Sequence, residues 1–204
     1  MNAVADPLPA PPGLGRRLRE RLPEIVIEAA SVGAAVLLAL GLDEWRDHAR
    51  AAEQAQDALD GIHAEIAANA IEVQATVDGA RRMLAEVEPL AARAAPPAAG
   101  EGFALGFEIA LTSAAAWNTA QSAGVLPALG FDDGLAIART YELQRWFEDA
   151  QRQAVAGFGR LPGPGTEWSQ QRSAFGAVAR ELRVVVELGE ALAREYAAHA
   201  GDAP

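Results

Sequence analysis

The chain has 204 residues, with seventeen Arg, no Lys, twenty-eight Asp or Glu and a formal net charge of −11. Beyond Glu24, thirteen Arg stand against twenty-five acids, a net −12. So acidic a body argues against nucleic acid, whose capture needs a cationic surface that displaces counterions. Cysteine is absent, which removes disulfides, thiol catalysis and Cys-ligated metal together and leaves packing to hold the fold.

Residues 1–15 hold four Pro and no hydrophobic period, so they cannot bury enough surface to offset chain entropy, and a disordered tail is expected. Arg16 to Arg21 follows with four Arg and one Glu, then Pro23, which suits the first turn of a helix because its missing N–H costs nothing there. From Ile25 to Leu42 only Glu28 is charged in eighteen residues. As a helix this run rises about 27 Å, close to the hydrocarbon thickness of a bilayer.

The stretch is read as a membrane anchor, carried by Ile25, Glu28, Gly33, Leu37, Leu42 and Trp45. Arg flanking an apolar helix stays in the cytoplasm, and Trp45 suits an interface, so the N-terminus is expected inside and the body outside. Two rivals stand beside it. Ala39 and Gly41 offer small residues for a signal-peptide cleavage site, and a core helix of a soluble protein is also apolar. The long leader, Glu28 within the apolar run and the helix continuing past Trp45 favour retention as a signal-anchor.

Glu28 has two readings, a proton path or buried partner, and an acid near the Arg side that reaches headgroup water. Ala29, Ala30, Gly33 and Ala34 also give the small-xxx-small spacing that lets helices approach closely. In a chain this rich in Ala that spacing arises readily by chance.

The body follows in helices. Leu59, Ile62, Ile66, Asn69, Val73, Thr76, Ala80, Met83 and Val87 step by threes and fours, which predicts a helix from about Asp43 to Val87, ending before Pro89. Ala70, Val77 and Leu84 widen the stripe, as a bundle helix requires. Leu90 to Gly102 reads as a loop around Pro96-Pro97, and Ala110 to Ser122 as a short helix around Trp117, stopped by Gly124 and Pro127. Asp132 or Asp133 is expected to cap a helix that Gly157 ends, and a last helix is expected from Glu167 to His199. Val184-Val185-Val186 lies inside that helical period, so no strand pattern survives.

The fold class is therefore all-α: an N-terminal transmembrane helix continuing into an extramembrane bundle of three long helices and one short one. The expected divisions are 1–22 (tail and Arg flank), 23–43 (membrane helix) and 44–204 (extracytoplasmic domain).

The apolar run into Leu42-Asp43-Glu44-Trp45-Arg46, the segment Ala116-Trp117-Asn118-Thr119-Ala120-Gln121-Ser122-Ala123-Gly124 and Tyr141-Glu142-Leu143-Gln144 together carry a resemblance. They resemble an uncharacterised family of bacterial single-pass membrane proteins with an α-helical extracytoplasmic domain, over roughly Glu24 to Phe158. The resemblance implies topology and fold, and no activity or catalytic residue.

Reactive constellations do not assemble in the sequence. His48, His63 and His199 are widely spaced, and His63 with Glu65 lacks the spacing of a helical metal pair. Glu86 with Glu88 and Asp132 with Asp133 read as helix ends, Gly163-Pro164-Gly165 lacks the Lys-Ser/Thr of a phosphate loop, and the Ser residues have no nucleophile elbow.

The expectation is a non-enzymatic protein with no cofactor and no metal, set in the bacterial inner membrane. Its partners are the lipid bilayer and another protein or a second copy met through its helices. The alternative is a ligand-sensing domain with a polar pocket at Trp117, Asn118, Gln121, Gly124 and Tyr141, although Asn118, Thr119, Gln121 and Ser122 equally suit a role in satisfying the short helix's own backbone. A polar cavity beside Asn118 and Gln121 favours sensing. An exposed apolar stripe along Leu59 to Val87 favours assembly.

Overall fold

The computed structural model describes residues 14–97, 106, 108–163 and 165–201, with side chains for 26–28, 30–97, 106, 108–163 and 165–200. Of the expected disordered tail over 1–15, residues 1–13 lie outside the described residues, whereas Leu14 and Gly15 begin the first helix, and of Ile25 only the helical backbone is described. All regular structure among the described residues is helical: α1 Leu14–Ala92, α2 Ala115–Ser122, α3 Leu126–Leu129, α4 Phe131–Gly159 and α5 Trp168–Gly201. By internal contacts the chain divides into two units, Met1–Arg50 and Ala51–Pro204.

In the first unit every described side chain from Val26 to Arg50 is exposed. Leu37 is 71 % and Trp45 67 % accessible. The most apolar eighteen-residue window of α1 has a mean hydropathy of 1.8, and none of it is buried. By length and composition it can cross a membrane. A core helix of a soluble protein is mostly buried, whereas this window is exposed among the described residues. Pro23 departs from its expected place, because α1 begins at Leu14 and leaves it inside the helix rather than in the first turn. There its ring removes one intrahelical bond.

The second unit is a bundle. Its core takes Ile62, Ile66, Val73, Val77 and Val87 from α1, Ile137, Phe147 and Ala154 from α4, and Val178, Leu182, Val185 and Leu192 from α5. Burial of each large side chain is worth about 1.5–3 kcal/mol, so this core dominates the half-exposed ion pairs Arg81–Glu190 and Arg183–Glu88 that join α1 to α5.

Side-chain pairing sets the direction of each helix. Glu65 meets Tyr141 and Asn69 meets Gln144, so α1 and α4 run the same way. Arg81 meets Glu190 and Glu88 meets Arg183, so α5 runs against α1. Between two helices of one direction the chain must travel back, and residues 108–129 make that return.

Four expected boundaries move, each for a tertiary reason. Helix α1 passes through Pro89 to Ala92, because Leu90 is drawn into the core and the Arg93 N–H still reaches the Pro89 carbonyl at 3.1 Å. The short helix starts at Ala115 rather than Ala110, and residues 110–114 are not helical. Neither Asp132 nor Asp133 caps α4 with its side chain; both sit in its first turn, where their charge still opposes the positive end of the helix dipole. Gly157 does not end α4. It is buried in the last turn, two residues before the end, and the Glu181 carboxylate occupies the space a Cβ would need, anchored by Arg160 at 2.7 Å.

Gly189 of α5 has the same role at the centre of the bundle. A Cβ there would overlap the Val77 side chain and lie 2.9 Å from Phe147. Gly189→Ala is expected to destabilise the full chain in mild detergent by about 1–3 kcal/mol through overpacking, although Ala is the better helix former by about 1 kcal/mol. Gly176→Ala, whose new methyl meets only the Arg180 side-chain tip at 3.7 Å, should be neutral or stabilising. Chemical denaturation of the two variants side by side checks the opposite signs.

Candidate functional site

The return leg runs without regular structure over 108–114 and then turns into α2. Irregular backbone laid against helices has neither a helix ladder nor a neighbouring strand, so those of its N–H and C=O groups that turn inward must bond to side chains. The inner faces of α1 and α4 supply them. Asn69 uses both ends of its amide on Ser113, accepting from its N–H at 2.9 Å and donating to its carbonyl at 2.8 Å. Gln144 donates to the same carbonyl at 3.1 Å, and Gln151 accepts the Ala110 N–H at 2.7 Å. Glu148 accepts from the Thr112 hydroxyl at 2.6 Å and from Gln144 at 3.0 Å. Tyr141, Gln144, Glu148 and Gln151 recur at helical spacing, so one face of α4 carries the ladder.

Glu65 of α1 performs the next step. One carboxylate oxygen accepts from the Ser113 hydroxyl at 2.6 Å and from the Ala116 N–H at 3.0 Å; the other accepts from the Tyr141 hydroxyl at 2.7 Å. The Ala114 side chain that precedes α2 caps nothing. A carboxylate from another helix does so instead and also meets the positive end of the α2 dipole. Burial pushes the Glu65 carboxyl up, but the bonds from Ser113, Tyr141 and the N–H groups of Ala116 and Trp117 outweigh it and hold the group below its ordinary value. Burial, aided by the Glu65 carboxylate, pushes the Tyr141 phenol up, and burial does the same to Tyr196, so both stay neutral donors. Tyr196 gives its proton to Gln144 at 2.7 Å.

At its other end α2 stops in a Schellman turn. The Val125 N–H reaches back to the Ala120 carbonyl at 3.3 Å and the Gly124 N–H to the Gln121 carbonyl at 3.1 Å. This needs the left-handed φ of +70° at Gly124, which favours a residue without Cβ.

With both ends fixed, α2 and α4 form the two walls of a groove of about 530 Å³. Trp117, only 7 % exposed, stacks on Tyr141 with ring centroids 5.6 Å apart, and the pair forms its floor. The uncharged polar residues of α2 divide between the two roles open to them. Thr119 and Ser122 donate to the carbonyls four residues back, at 2.7 and 2.8 Å, whereas Asn118 and Gln121 line the groove. Gly124 shapes the exit and does not line it.

Of the anchor residues, Glu28, Gly33, Leu37, Leu42 and Trp45 are exposed on α1 in the first unit. In the second unit the rings of His63 and His199 come within 6.5 Å, and Thr140 contacts His199 at 2.9 Å. Glu65, Gln144, Glu148 and Gln151 were not singled out from sequence as site residues. A signal for the last three was present in polar side chains recurring along α4 at the spacing of its inward face, whereas Glu65 on α1 had none. Comparison with known proteins adds no relative: no family model, no curated protein and no solved structure matches the chain.

Glu65→Gln replaces an all-acceptor group with one whose NH₂ meets the donors at Ser113 and Ala116, and it should cost about 1–3 kcal/mol. A carboxyl held low in the fold stabilises fully above its ordinary value of 4.5 and loses that contribution as pH falls through the lower folded value. Chemical denaturation across acid pH is expected to show this loss in the wild type, and Glu65→Gln should lack that share of it.

Proposed function

We propose that the chain is a non-enzymatic, single-pass protein of a bacterial inner membrane, with its N-terminus in the cytoplasm and an acidic recognition domain on the other side. The observation that carries the anchor is the apolar helix around Val26 to Leu42, exposed on every described side. Water does not solvate such a surface favourably, and no part of the described chain covers it. The Arg-rich flank before it supports the orientation.

For the recognition domain, two readings compete on where an uncommitted surface lies. Assembly through the stripe from Leu59 to Val87 has little support, because Ile62, Ile66, Val73, Val77 and Val87 are spent in the bundle's own core. Ligand recognition has the groove between α2 and α4, with Asn118 and Gln121 facing it. The domain is therefore read as a receiver of a small polar ligand. A protein partner stays as the second reading, favoured by exposed Ile109, Leu111 and Val155, which share one shallow cleft beside α4.

Fractionation tests the anchor. Full-length protein is expected in the membrane pellet, resistant to alkaline wash and released by detergent, with a C-terminal reporter active outside the cytoplasm and an N-terminal one active within it. Leu37→Arg, which adds about 2.5–3.5 kcal/mol at the helix centre, should weaken insertion. Recovery of the untreated protein in the aqueous fraction, or of a mature form starting near Leu42, overturns the proposal.

A further inference from the structure

The groove has a chemical character of its own, and it rests on the ligand-receiving reading above. Four charged residues line it, Arg139, Arg145, Glu142 and Glu148, so the charges cancel in a domain that is otherwise strongly acidic. A neutral sum built from separated unlike charges gives no advantage to a polyanion such as a nucleotide or to a polycation. Arg139, Glu142 and Arg145 make no ion pair or hydrogen bond through their side chains with the described residues, nor do the side-chain amides of Asn118 and Gln121. The groove thus keeps guanidinium donors and a carboxylate acceptor uncommitted within one cleft, with Leu135, Ala138 and the edge of the Trp117–Tyr141 stack as apolar surface between them.

We infer that the groove between α2 and α4 binds a free amino acid or a zwitterion of similar size. Arg139 or Arg145 takes the carboxylate, Glu142 takes the ammonium, and Asn118 and Gln121 contact the polar part of the ligand from the opposite wall. A guanidinium on a carboxylate and a carboxylate on an ammonium are both charge-assisted, and together they reject ligands that lack either pole. At about 530 Å³ the groove falls within the ~300–1,000 Å³ range of small-molecule clefts. The five polar residues are exposed on helices whose opposite faces hold the fold, so replacing them tests binding without disturbing the core.

The test is isothermal titration of the full chain in detergent micelles with glutamine, leucine, succinate, putrescine and glucose as separate probes. Glutamine or leucine is expected to bind once per chain, and Arg139→Ala, Arg145→Ala and Glu142→Gln together should weaken it at least about tenfold, as should N-acetylation or α-amidation of the amino acid. Amino-acid binding that survives the triple substitution places the ligand elsewhere and overturns the inference. Binding of succinate, putrescine or glucose, lost in Asn118→Ala with Gln121→Ala while amino acids do not bind, overturns the ligand class but leaves the groove reading standing. No binding by any of the five overturns both.

Discussion

A bundle in which α1 and α4 run the same way requires the chain to come back between them, and the returning backbone must find partners for the polar groups it turns toward their inner faces. Everything about the site follows from how that requirement is met. An unbonded buried amide costs about 1–3 kcal/mol, and the leg is buried at Ala110 and half-buried at Thr112, Ala114 and Ala116. Asn69, Gln144, Gln151 and Glu65 answer them from the walls, so the interior of this protein carries a polar seam where a regular bundle would place Leu or Ile. The seam also fixes register, because amides and carboxylates demand particular partners at particular distances, whereas apolar side chains accept many packings.

The long helices could be read from the sequence because their signal is repeated many times over. The stripe from Leu59 to Val87 and the one from Phe175 to Tyr196 each place an apolar residue inward at most steps of three or four, and the buried residues follow them. The boundaries depended on single residues, and there tertiary contact prevailed. Pro89 is a helix breaker only until Leu90 gains a core to enter, and Gly157 is a helix terminator only until a neighbouring carboxylate uses the space it leaves. Ala110 to Ala114 has helix-tolerant residues, and nothing local says that Gln151 and Asn69 wait to hold its backbone out of a helix.

The candidate site was legible in part for the same reason. Trp117, Asn118, Gln121 and Tyr141 stood out by type and cluster within a short span, and the fold brings all four to one groove. Gly124 was recognisable as a turn residue, and its φ of +70° gives that a conformational basis. Glu65 carried no such mark. A single acid on an amphipathic helix resembles any solvated charge, and its place at the head of α2 arises from a contact 51 residues away in sequence. Arg139 and Arg145 likewise become notable only when three dimensions bring them into one groove with Asn118 and Gln121.

Helix α2 has eight residues, fewer than the roughly twelve to fifteen an isolated helix needs to persist in water. It exists because a distant carboxylate, a stacked indole and a glycine exit each restrain it from outside. One wall of the groove is thus a locally weak element resting on a strong scaffold, the kind of segment that opens in small excursions while the core stays closed. Any occupant that touches both walls would repress those excursions, so occupancy would register as a change in the lifetime of one short helix rather than as a new shape of the whole.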